Sequence, residues 1–234
     1  MSDPNLAKIN AAAEALKYVK DGMVLGLGTG STSAHFVRLL GERVREGLRV
    51  KGVPTSEATR NLAEQHGVPV LDIAQVSGLD IDIDGADEID PGFRLIKGGG
   101  GALLREKIVA AASAQMIIIA DESKWVETLG AFPLPVEVVR FGFNLTQKRI
   151  ESALRDTGCA GNEVTLRTSG KANEPVITDG GNYILDAHAV RIALPEALAA
   201  ALAAIAGVVE HGLFIGLSRT VILGKAKGVE VKTL

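Results

Sequence analysis

The chain has 234 residues, 47% of them hydrophobic and 23% charged, so it can bury one large core or two modest ones. A net charge of −3, without a basic stripe interleaved with aromatic residues, argues against nucleic-acid binding. The single cysteine, Cys159, excludes an internal disulfide. Because the chain also lacks a signal-like N-terminal segment and any run of about 20 apolar residues, we expect a cytoplasmic protein with no membrane partner.

The first residues predict a helix, a strand and a second helix. Asp3-Pro4 suits a helix start, and apolar residues recur at helical spacing until Gly22. The apolar run from Met23 to Leu27 predicts a buried strand, followed by a glycine-rich turn and a helix from about Ser33 to Glu46. A strand, a glycine-rich turn and a helix form a geometry that binds phosphate.

The glycine-rich turn contains Thr29, Gly30, Ser31 and Thr32. A dinucleotide fingerprint beginning at Gly26 would need a third glycine where Ser31 stands, and a P-loop would need a lysine that the turn lacks. The hydroxyls and amides therefore suit a single phosphate group better than a nucleotide. A plain helix N-cap by Ser31 or Thr32 is an equal alternative on these residues alone.

The next segments predict a helix from Ser56 to His66, a strand from Val68 to Ile73 and a strand from Leu79 to Asp84. Aspartates alternate with isoleucines in the last of these, so one face of that strand is acidic and the other apolar. A solvated edge or a calcium loop would be the ordinary alternative. The calcium loop fails at its twelfth position, because Pro91 cannot supply the carboxylate required there.

An acid–base constellation follows that strand. The strand ends at the segment Asp84, Gly85, Ala86 and Asp87. Further along the chain, Lys97 precedes the glycines Gly98, Gly99, Gly100 and Gly101. A helix from Ala102 to Ala112 then carries Glu106 in its first turns. Glycine amides at a helix start attract negative charge, so these groups suit proton transfer, with an ordinary surface ion pair as the alternative.

The strand from Gln115 to Ala120 is continuously apolar, as parallel strands usually are, and Lys124 follows its end. In open parallel sheets ligands bind beyond the carboxyl ends of the strands. We therefore expect the residues 29–32, 84–87 and 121–124 to share one rim of the sheet, where Lys124 would meet a phosphate or carboxylate.

A boundary is predicted near Gly130, where the sequence Phe-Pro-Leu-Pro interrupts the pattern. The later elements are predicted as strand Val136–Arg140, helix Leu145–Thr157, strand Glu163–Arg167, a hairpin turn at residues 179–182, strand Tyr183–Ala187, helix Pro195–Ile205 and strand Val208–Phe214. This βαββαβ order is that of ferredoxin-like domains. The predicted fold is α/β, with a Rossmann-like open sheet domain (residues 1–130 plus 209–234) and a second, smaller ferredoxin-like α+β domain (131–208).

The candidate residues suit proton transfer on a small phosphorylated sugar. The four histidines have no metal-ligand spacing, so we expect neither a metal nor another cofactor. Aldose–ketose interconversion needs one base that carries a proton between adjacent carbons. It also needs a cation or amide donors that stabilise the enediolate oxygen.

Together these segments resemble the A type of ribose-5-phosphate isomerase, in order and spacing over nearly the whole chain. The matching segments are Gly26–Thr32, Asp84–Glu88, Lys97–Gly100, Arg105–Lys107 and Phe132–Val138. The resemblance implies interconversion of D-ribose 5-phosphate and D-ribulose 5-phosphate in the pentose phosphate pathway. It also implies a homodimer or a dimer of dimers that needs no metal or cofactor.

The resemblance further implies roles for single residues. Glu106 would be the base that moves the proton between C1 and C2, and Lys97, Asp84 and Asp87 would be the other catalytic groups. The implied substrate-binding residues are Thr29, Gly30, Ser31, Thr32, Asp84, Gly85, Ala86, Asp87, Lys97, Gly98, Gly99, Gly100 and Lys124. Gly101 departs from the family, in which alanine is usual, and would loosen the loop.

Two other functions fit parts of the sequence. A sugar-phosphate-sensing effector domain should accompany a DNA-binding helix-turn-helix, and here only one predicted helix precedes the first strand. A coenzyme A transferase-like enzyme that uses a glutamate as nucleophile would normally be longer. Such an enzyme would also have less need of the predicted phosphate-binding turn.

Overall fold

The computed structural model describes residues 4–170 and 173–234, so Asp3 of the predicted helix cap lies outside the described residues. The chain forms two compact units. Unit 1 comprises Met1–Ala86, Arg105–Trp125 and Gly216–Leu234, and unit 2 comprises Asp87–Leu104 and Val126–Ile215. The domain boundaries expected at residues 130 and 209 stay a prediction.

The described residues contain six α-helices and fifteen strands, numbered in chain order. The helices are α1 (Pro4–Ala15), α2 (Ser31–Arg45), α3 (Glu57–Gln65), α4 (Leu103–Ala112), α5 (Phe143–Asp156) and α6 (Pro195–Ala203). The strands are β1 (Val24–Leu27), β2 (Lys51–Pro54), β3 (Ile81–Asp84), β4 (Glu88–Ile89), β5 (Leu95–Ile96), β6 (Met116–Asp121), β7 (Leu134–Val138), β8 (Glu163–Leu166), β9 (Thr168–Ser169), β10 (Glu174–Pro175), β11 (Tyr183–His188), β12 (Val208–His211), β13 (Leu213–Phe214), β14 (Ser218–Gly224) and β15 (Val229–Thr233).

Unit 1 is built on an open sheet with the strand order β15-β14-β6-β3-β1-β2. Its strands pair in parallel except β15, which runs antiparallel to β14. Strand β3 lies inside this sheet, and Ile81 and Ile83 are buried in the main hydrophobic cluster. The solvated-edge alternative for the acidic strand is therefore wrong, and the predicted open α/β sheet is confirmed.

The strand predicted from Val68 to Ile73 is wrong. Only Val70 makes a bridge, to Gly52, and a 3₁₀ helix begins at Ile73. Pro69 has no N–H to donate to a sheet ladder, which limits pairing on that side. The Asp72 side chain accepts a hydrogen bond from the Ala74 N–H at 2.9 Å and so starts the 3₁₀ turn instead.

Unit 2 contains a four-stranded antiparallel sheet with the order β12-β7-β11-β8. The elements of this sheet and its two helices follow one another along the chain as β7-α5-β8-β11-α6-β12, while β9 and β10 form a separate two-stranded sheet. This is the βαββαβ order, so the predicted ferredoxin-like domain is confirmed. The strand expected from Val208 to Phe214 is divided at Gly212, and β13 joins β5 and β4 in a separate sheet. A Cβ at Gly212 would lie 2.3 Å from the carbonyl oxygen of Lys97, so this close crossing requires glycine.

Among the described residues, no helix combines the length and the apolar character needed to cross a membrane.

Helix α1 lies directly against β14: a Cβ at Gly224 would be 1.8 Å from the Ala7 carbonyl oxygen and 3.2 Å from the Ala11 Cβ. Small residues at this contact let the two backbones approach closely.

We expect Gly224→Ala to lower the free energy of unfolding by about 1–3 kcal/mol, because the added methyl group forces α1 away from the sheet. Chemical unfolding followed by circular dichroism measures the change. Gly78→Ala is the matched control, since its Cβ would meet the Ala112 carbonyl oxygen at 3.5 Å, an ordinary contact distance. Equal unfolding midpoints for the two variants would contradict the tight contact between α1 and β14.

Candidate functional site

In unit 1, the carboxylate of Asp84 is fully buried at the end of β3. Its Oδ1 accepts hydrogen bonds from the Gly85 N–H at 2.7 Å, the Thr29 N–H at 3.1 Å and the Ser33 hydroxyl at 3.3 Å. Backbone amides thus hold this side chain in a fixed orientation. Hydrogen bonds of this kind offset part of the cost of burying a carboxylate.

Glycines of β1 and of the following turn make room for the aspartates of β3. A Cβ at Gly28 would lie 2.0 Å from Asp84 Oδ1, and a Cβ at Gly26 would lie 2.4 Å from Asp82 Oδ1. Neither position can carry a side chain while the carboxylates stay where they are. These glycines, which the sequence predicts to belong to a phosphate-binding segment, therefore also make room for the carboxylates of β3.

The hydroxyl of Thr29 belongs to a cluster of four hydroxyl groups. It is hydrogen-bonded to Thr55 Oγ1 at 2.7 Å, Ser56 Oγ at 2.8 Å and Thr59 Oγ1 at 3.2 Å. The Thr59 hydroxyl in turn donates to the Gly28 carbonyl at 3.1 Å. This cluster ties the glycine-rich turn to the start of α3.

The turn ends at the N-terminus of α2. Gly30 is the N-cap residue, with φ +122°, and as a glycine it has no side chain that could make a capping hydrogen bond. The N-cap by Ser31 or Thr32 is therefore wrong. Thr32 is buried, whereas Ser31 is exposed and accepts a hydrogen bond from Lys8 Nζ at 3.0 Å.

Lys8 is a candidate that the sequence analysis missed. It lies on α1, 23 residues from its partner Ser31, and nothing in the α1 pattern links it to the turn. Its ammonium group adds a cation beside the exposed helix N-terminus. Burial, Arg38 and Lys8 lower the pKa of the nearby His35, in that order of size. The imidazolium form is thus disfavoured in a region that already carries positive charge.

The carboxyl ends of β1, β3 and β6 lie at the same edge of the unit 1 sheet, because these strands pair in parallel. The turn after β1, Asp84 on β3 and the segment after β6 therefore follow neighbouring strand ends. Lys124 is partly buried there, in a 3₁₀ turn that Asp121 caps by accepting a hydrogen bond from the Ser123 N–H at 3.1 Å.

Glu106 lies in the first turn of α4, and only 3% of it is exposed. Its neighbour Arg105 forms an ion pair with Glu57 at 2.8 Å, and the hydrogen bond from Arg105 lowers the pKa of Glu57. The predicted helix from Ala102 to Ala112 is confirmed to within one residue, since α4 begins at Leu103.

In unit 2, the residues Gly98–Gly101 form a turn that we call the glycine loop. Gly98 and Gly101 have φ values of +103° and +81°, and the Gly101 N–H donates to the Gly98 carbonyl at 3.0 Å. Asp87 Oδ2 accepts a hydrogen bond from the Gly99 N–H at 2.8 Å. The side chain of Asp87 thus fixes one peptide group of the loop.

Lys97 precedes the glycine loop and is only 2% exposed. Its N–H donates to the Gly212 carbonyl at 2.9 Å, and its Nζ lies 5.4 Å from the centre of the Phe214 ring. A cation over an aromatic face is stabilised by the ring quadrupole. This contact helps to hold the ammonium group in a largely buried setting.

Each unit brings some of the predicted site residues together. Unit 1 holds Thr29, Gly30, Ser31, Thr32, Asp84, Gly85, Ala86, Glu106 and Lys124, and unit 2 holds Asp87, Lys97, Gly98, Gly99 and Gly100. Direct hydrogen bonds join Thr29 to Asp84 within the first set and Gly99 to Asp87 within the second.

Within the described residues, no group of three or more histidine, cysteine, aspartate or glutamate side chains is placed to hold a metal ion. The cofactor-free site therefore stays a prediction for experiment.

Burial raises the pKa of the Cys159 thiol, more than the hydrogen bond with Thr157 lowers it. The thiol form is favoured, as expected for a cysteine without a nucleophilic role.

Buried charged groups at strand and helix ends of an α/β fold are typical of enzymes that carry out acid–base chemistry on small molecules. The family Ribose 5-phosphate isomerase A (phosphoriboisomerase A) matches residues 51–228. The relative named Ribose-5-phosphate isomerase A from Afipia carboxidovorans is 62% identical over 221 residues, which cover 94% of this chain and 93% of that protein. The chain belongs to the ribose 5-phosphate isomerase A family.

Solved structures agree with this assignment. Ribose 5-phosphate isomerase A from Methanocaldococcus jannaschii has a TM-score of 0.90 and 40% identity, covering 99% of this chain and 100% of that one. A D-ribose-5-phosphate isomerase in complex with phospho-erythronic acid has the same TM-score of 0.90 and 40% identity, covering 100% of both chains. The resemblance predicted from the sequence is confirmed, and the alternative of a sugar-phosphate-sensing effector domain is not supported.

Proposed function

We propose that this protein interconverts D-ribose 5-phosphate and D-ribulose 5-phosphate through an enediolate. Membership of the isomerase family carries the proposal. The burial of Asp84, Lys97 and Glu106, each at most 3% exposed, supports it, because charged side chains are rarely buried without a structural or functional reason.

Glu106 is the proposed base. Its carboxylate removes the proton from C2 of ribose 5-phosphate, and the electron pair forms the C1–C2 double bond of the enediolate. The C1 carbonyl electrons move onto O1 as this double bond forms. The same group then returns the proton to C1, and the proton of the C2 hydroxyl is transferred to O1, so that C2 becomes the ketone and C1 carries the hydroxyl. One base suffices because the proton moves between adjacent carbons.

The remaining catalytic residues act on the sugar oxygens. Lys97 stabilises the negative charge that develops on the enediolate, together with N–H groups of the glycine loop. Asp84 and Asp87 bind the reacting hydroxyls and assist opening of the sugar ring. Hydrogen bonds from main-chain N–H groups already orient both carboxylates, which lowers the reorganisation required during reaction.

The phosphate group binds at the turn from Thr29 to Thr32, with Lys124 and Lys8 as cationic partners. The exposed N-terminus of α2 and the contact between Lys8 and Ser31 support this placement. Phospho-erythronic acid, the ligand of one solved relative, is a phosphorylated sugar acid, and we expect this chain to bind it as well.

We also propose a pathway, a compartment and an oligomeric state for the enzyme. It acts in the non-oxidative branch of the pentose phosphate pathway, in the cytoplasm, as a homodimer or a dimer of dimers. It requires neither a metal nor another cofactor, and its partner is a small phosphorylated sugar, with no nucleic acid and no membrane.

A coupled assay for ribulose 5-phosphate formation, run with a strong chelator present, tests the function and its metal independence together. We expect the purified protein to convert ribose 5-phosphate at the same rate with and without chelator. Activity lost on chelation and restored by a divalent ion would contradict the metal-free mechanism. No conversion under either condition would contradict the proposed function.

We expect Glu106→Gln to lower kcat by on the order of 10² to 10⁴ while KM changes little, because the amide cannot accept the proton. Steady-state kinetics with ribose 5-phosphate measure both constants. Glu64→Gln, at an exposed position on α3, is the matched control and should keep normal turnover. Near-normal turnover of the Glu106 variant would reject the assigned base.

For Lys124→Ala and Thr32→Ala we expect a larger effect on KM than on kcat, since the phosphate is bound similarly in the ground and transition states. The same kinetic assay applies, and inhibition by inorganic phosphate gives an independent measure of this subsite. Lys227→Ala removes an exposed lysine of unit 1 and serves as the control. Unchanged KM in both variants would remove Lys124 and Thr32 from the phosphate site.

A further inference from the structure

The glycine loop cannot be ordered by its own side chains, because it has none. Glycine also loses more conformational freedom on ordering than any other residue. Gly99 and Gly100 are exposed. The orientation of their peptide groups must therefore come from contacts made by the main-chain N–H and C=O groups.

Arg167 supplies such contacts. Its Nη1 donates hydrogen bonds to the carbonyl oxygens of Gly98 at 2.9 Å and Gly99 at 3.1 Å. Arg167 follows β8, where its own N–H donates to the Ile184 carbonyl at 2.9 Å. The side chain thus reaches from the antiparallel sheet of unit 2 to two consecutive peptides of the glycine loop.

The guanidinium group is itself held in place by Asp186 on β11. Arg167 Nε donates to Asp186 Oδ2 at 2.9 Å, and Nη2 donates to Asp186 Oδ1 at 2.5 Å. The two side chains are only 15% and 18% exposed. A two-point pair of this kind fixes the plane of the guanidinium group, so Nη1 has a defined direction toward the loop.

Peptide planarity turns these contacts into a constraint on the N–H groups. In a trans peptide the C=O and N–H bonds point in opposite directions. The peptide between Gly98 and Gly99 is held at both ends, its carbonyl by Arg167 and its N–H by Asp87. The peptide between Gly99 and Gly100 has its carbonyl on Arg167, so the Gly100 N–H points away from the guanidinium group.

We propose that Arg167 is a positioning residue for the isomerisation, which sets the direction in which the glycine loop presents the Gly100 N–H to the enediolate oxygen. The inference rests on the proposed function and assigns it a residue outside the matched motifs. An oriented N–H group needs no reorganisation when negative charge develops, which is the main source of electrostatic catalysis.

Two other roles would use the same side chain differently. If Arg167 only strengthens the contact between β8 and β11, its loss lowers stability and leaves the turnover of the folded enzyme unchanged. If Arg167 binds the substrate phosphate directly, its loss raises KM and weakens inhibition by inorganic phosphate. The positioning role affects mainly kcat, because an oriented N–H group matters most in the transition state.

The decisive variants are Arg167→Met, which removes the donors, and Arg167→Lys, which keeps the charge but not the planar fork. For Arg167→Met we expect kcat to fall on the order of 10- to 100-fold, with KM changed less than about threefold. Arg167→Lys should recover part of this loss. Inhibition by phospho-erythronic acid should weaken along with kcat in Arg167→Met, whereas inhibition by inorganic phosphate should not.

Asp186→Asn gives a second, milder test, since it weakens the fork without removing the arginine. We expect a smaller fall in kcat, and the double variant Arg167→Met/Asp186→Asn should match Arg167→Met within about twofold, because both changes act through one contact. Additive losses in the double variant would mean that the two side chains act separately and would overturn the proposal.

Arg155→Met, at an exposed arginine on α5, is the matched control and should retain wild-type kinetics. Arg167→Met also leaves the Asp186 carboxylate without this partner, so its unfolding midpoint should fall. Hydrogen exchange under native conditions should be accelerated in the glycine loop more than in the strands β8 and β11. A kcat within twofold of wild type, or a rise in KM alone, would overturn the positioning role. Wild-type protein that fails to isomerise ribose 5-phosphate would instead reject the proposed function, so the two failures are distinguishable.

Discussion

The burial of the Asp84 carboxylate is the constraint on which the site of unit 1 depends. In the pairing of β1 with β3, Gly26 lies opposite Asp82, so the Gly-Leu-Gly and Asp-Ile-Asp segments form one complementary unit. A Cβ at Gly28 would take the space of the Asp84 carboxylate. The geometry of the glycine-rich turn is therefore set by this buried carboxylate, and the Thr29 amide, which belongs to the proposed phosphate site, also orients the Asp84 side chain.

The glycine loop of unit 2 repeats this kind of contact and adds its reverse. The Gly99 N–H donates to the Asp87 carboxylate, as the Thr29 N–H donates to Asp84 in unit 1, and Arg167 in turn donates to the Gly98 carbonyl. Both arrangements fix the direction of main-chain dipoles, which costs little once the chain is folded. Main-chain N–H groups whose direction is fixed stabilise negative charge that develops close to them.

The sequence predicted the features that depend on local pattern. The apolar run of β6, the alternation in β3 and the glycine loop before α4 each lie where expected, because burial and backbone freedom leave a periodic or compositional trace. The contacts of Lys8 and Arg167 were not predictable, since their partners lie 23 and 69 residues away along the chain. The predicted strand after α3 is wrong because it rests on the apolar residues alone. It takes no account of the missing N–H of Pro69 or of the Asp72 side chain that caps a 3₁₀ helix.

Gly101 stands where the resemblance to the family implies alanine, and at first sight glycine would loosen the loop. Its φ of +81° places it in the left-handed region, where a side chain costs roughly 1–2 kcal/mol. Replacing glycine by alanine stabilises a chain through the unfolded state by only about 0.4–1 kcal/mol. The strain exceeds the entropic gain, and a Cβ would also meet Ile184 Cδ1 at 3.4 Å. At this backbone conformation glycine is therefore the more stable choice, and the 3.0 Å bond from its N–H to Gly98 closes the loop despite the missing side chain.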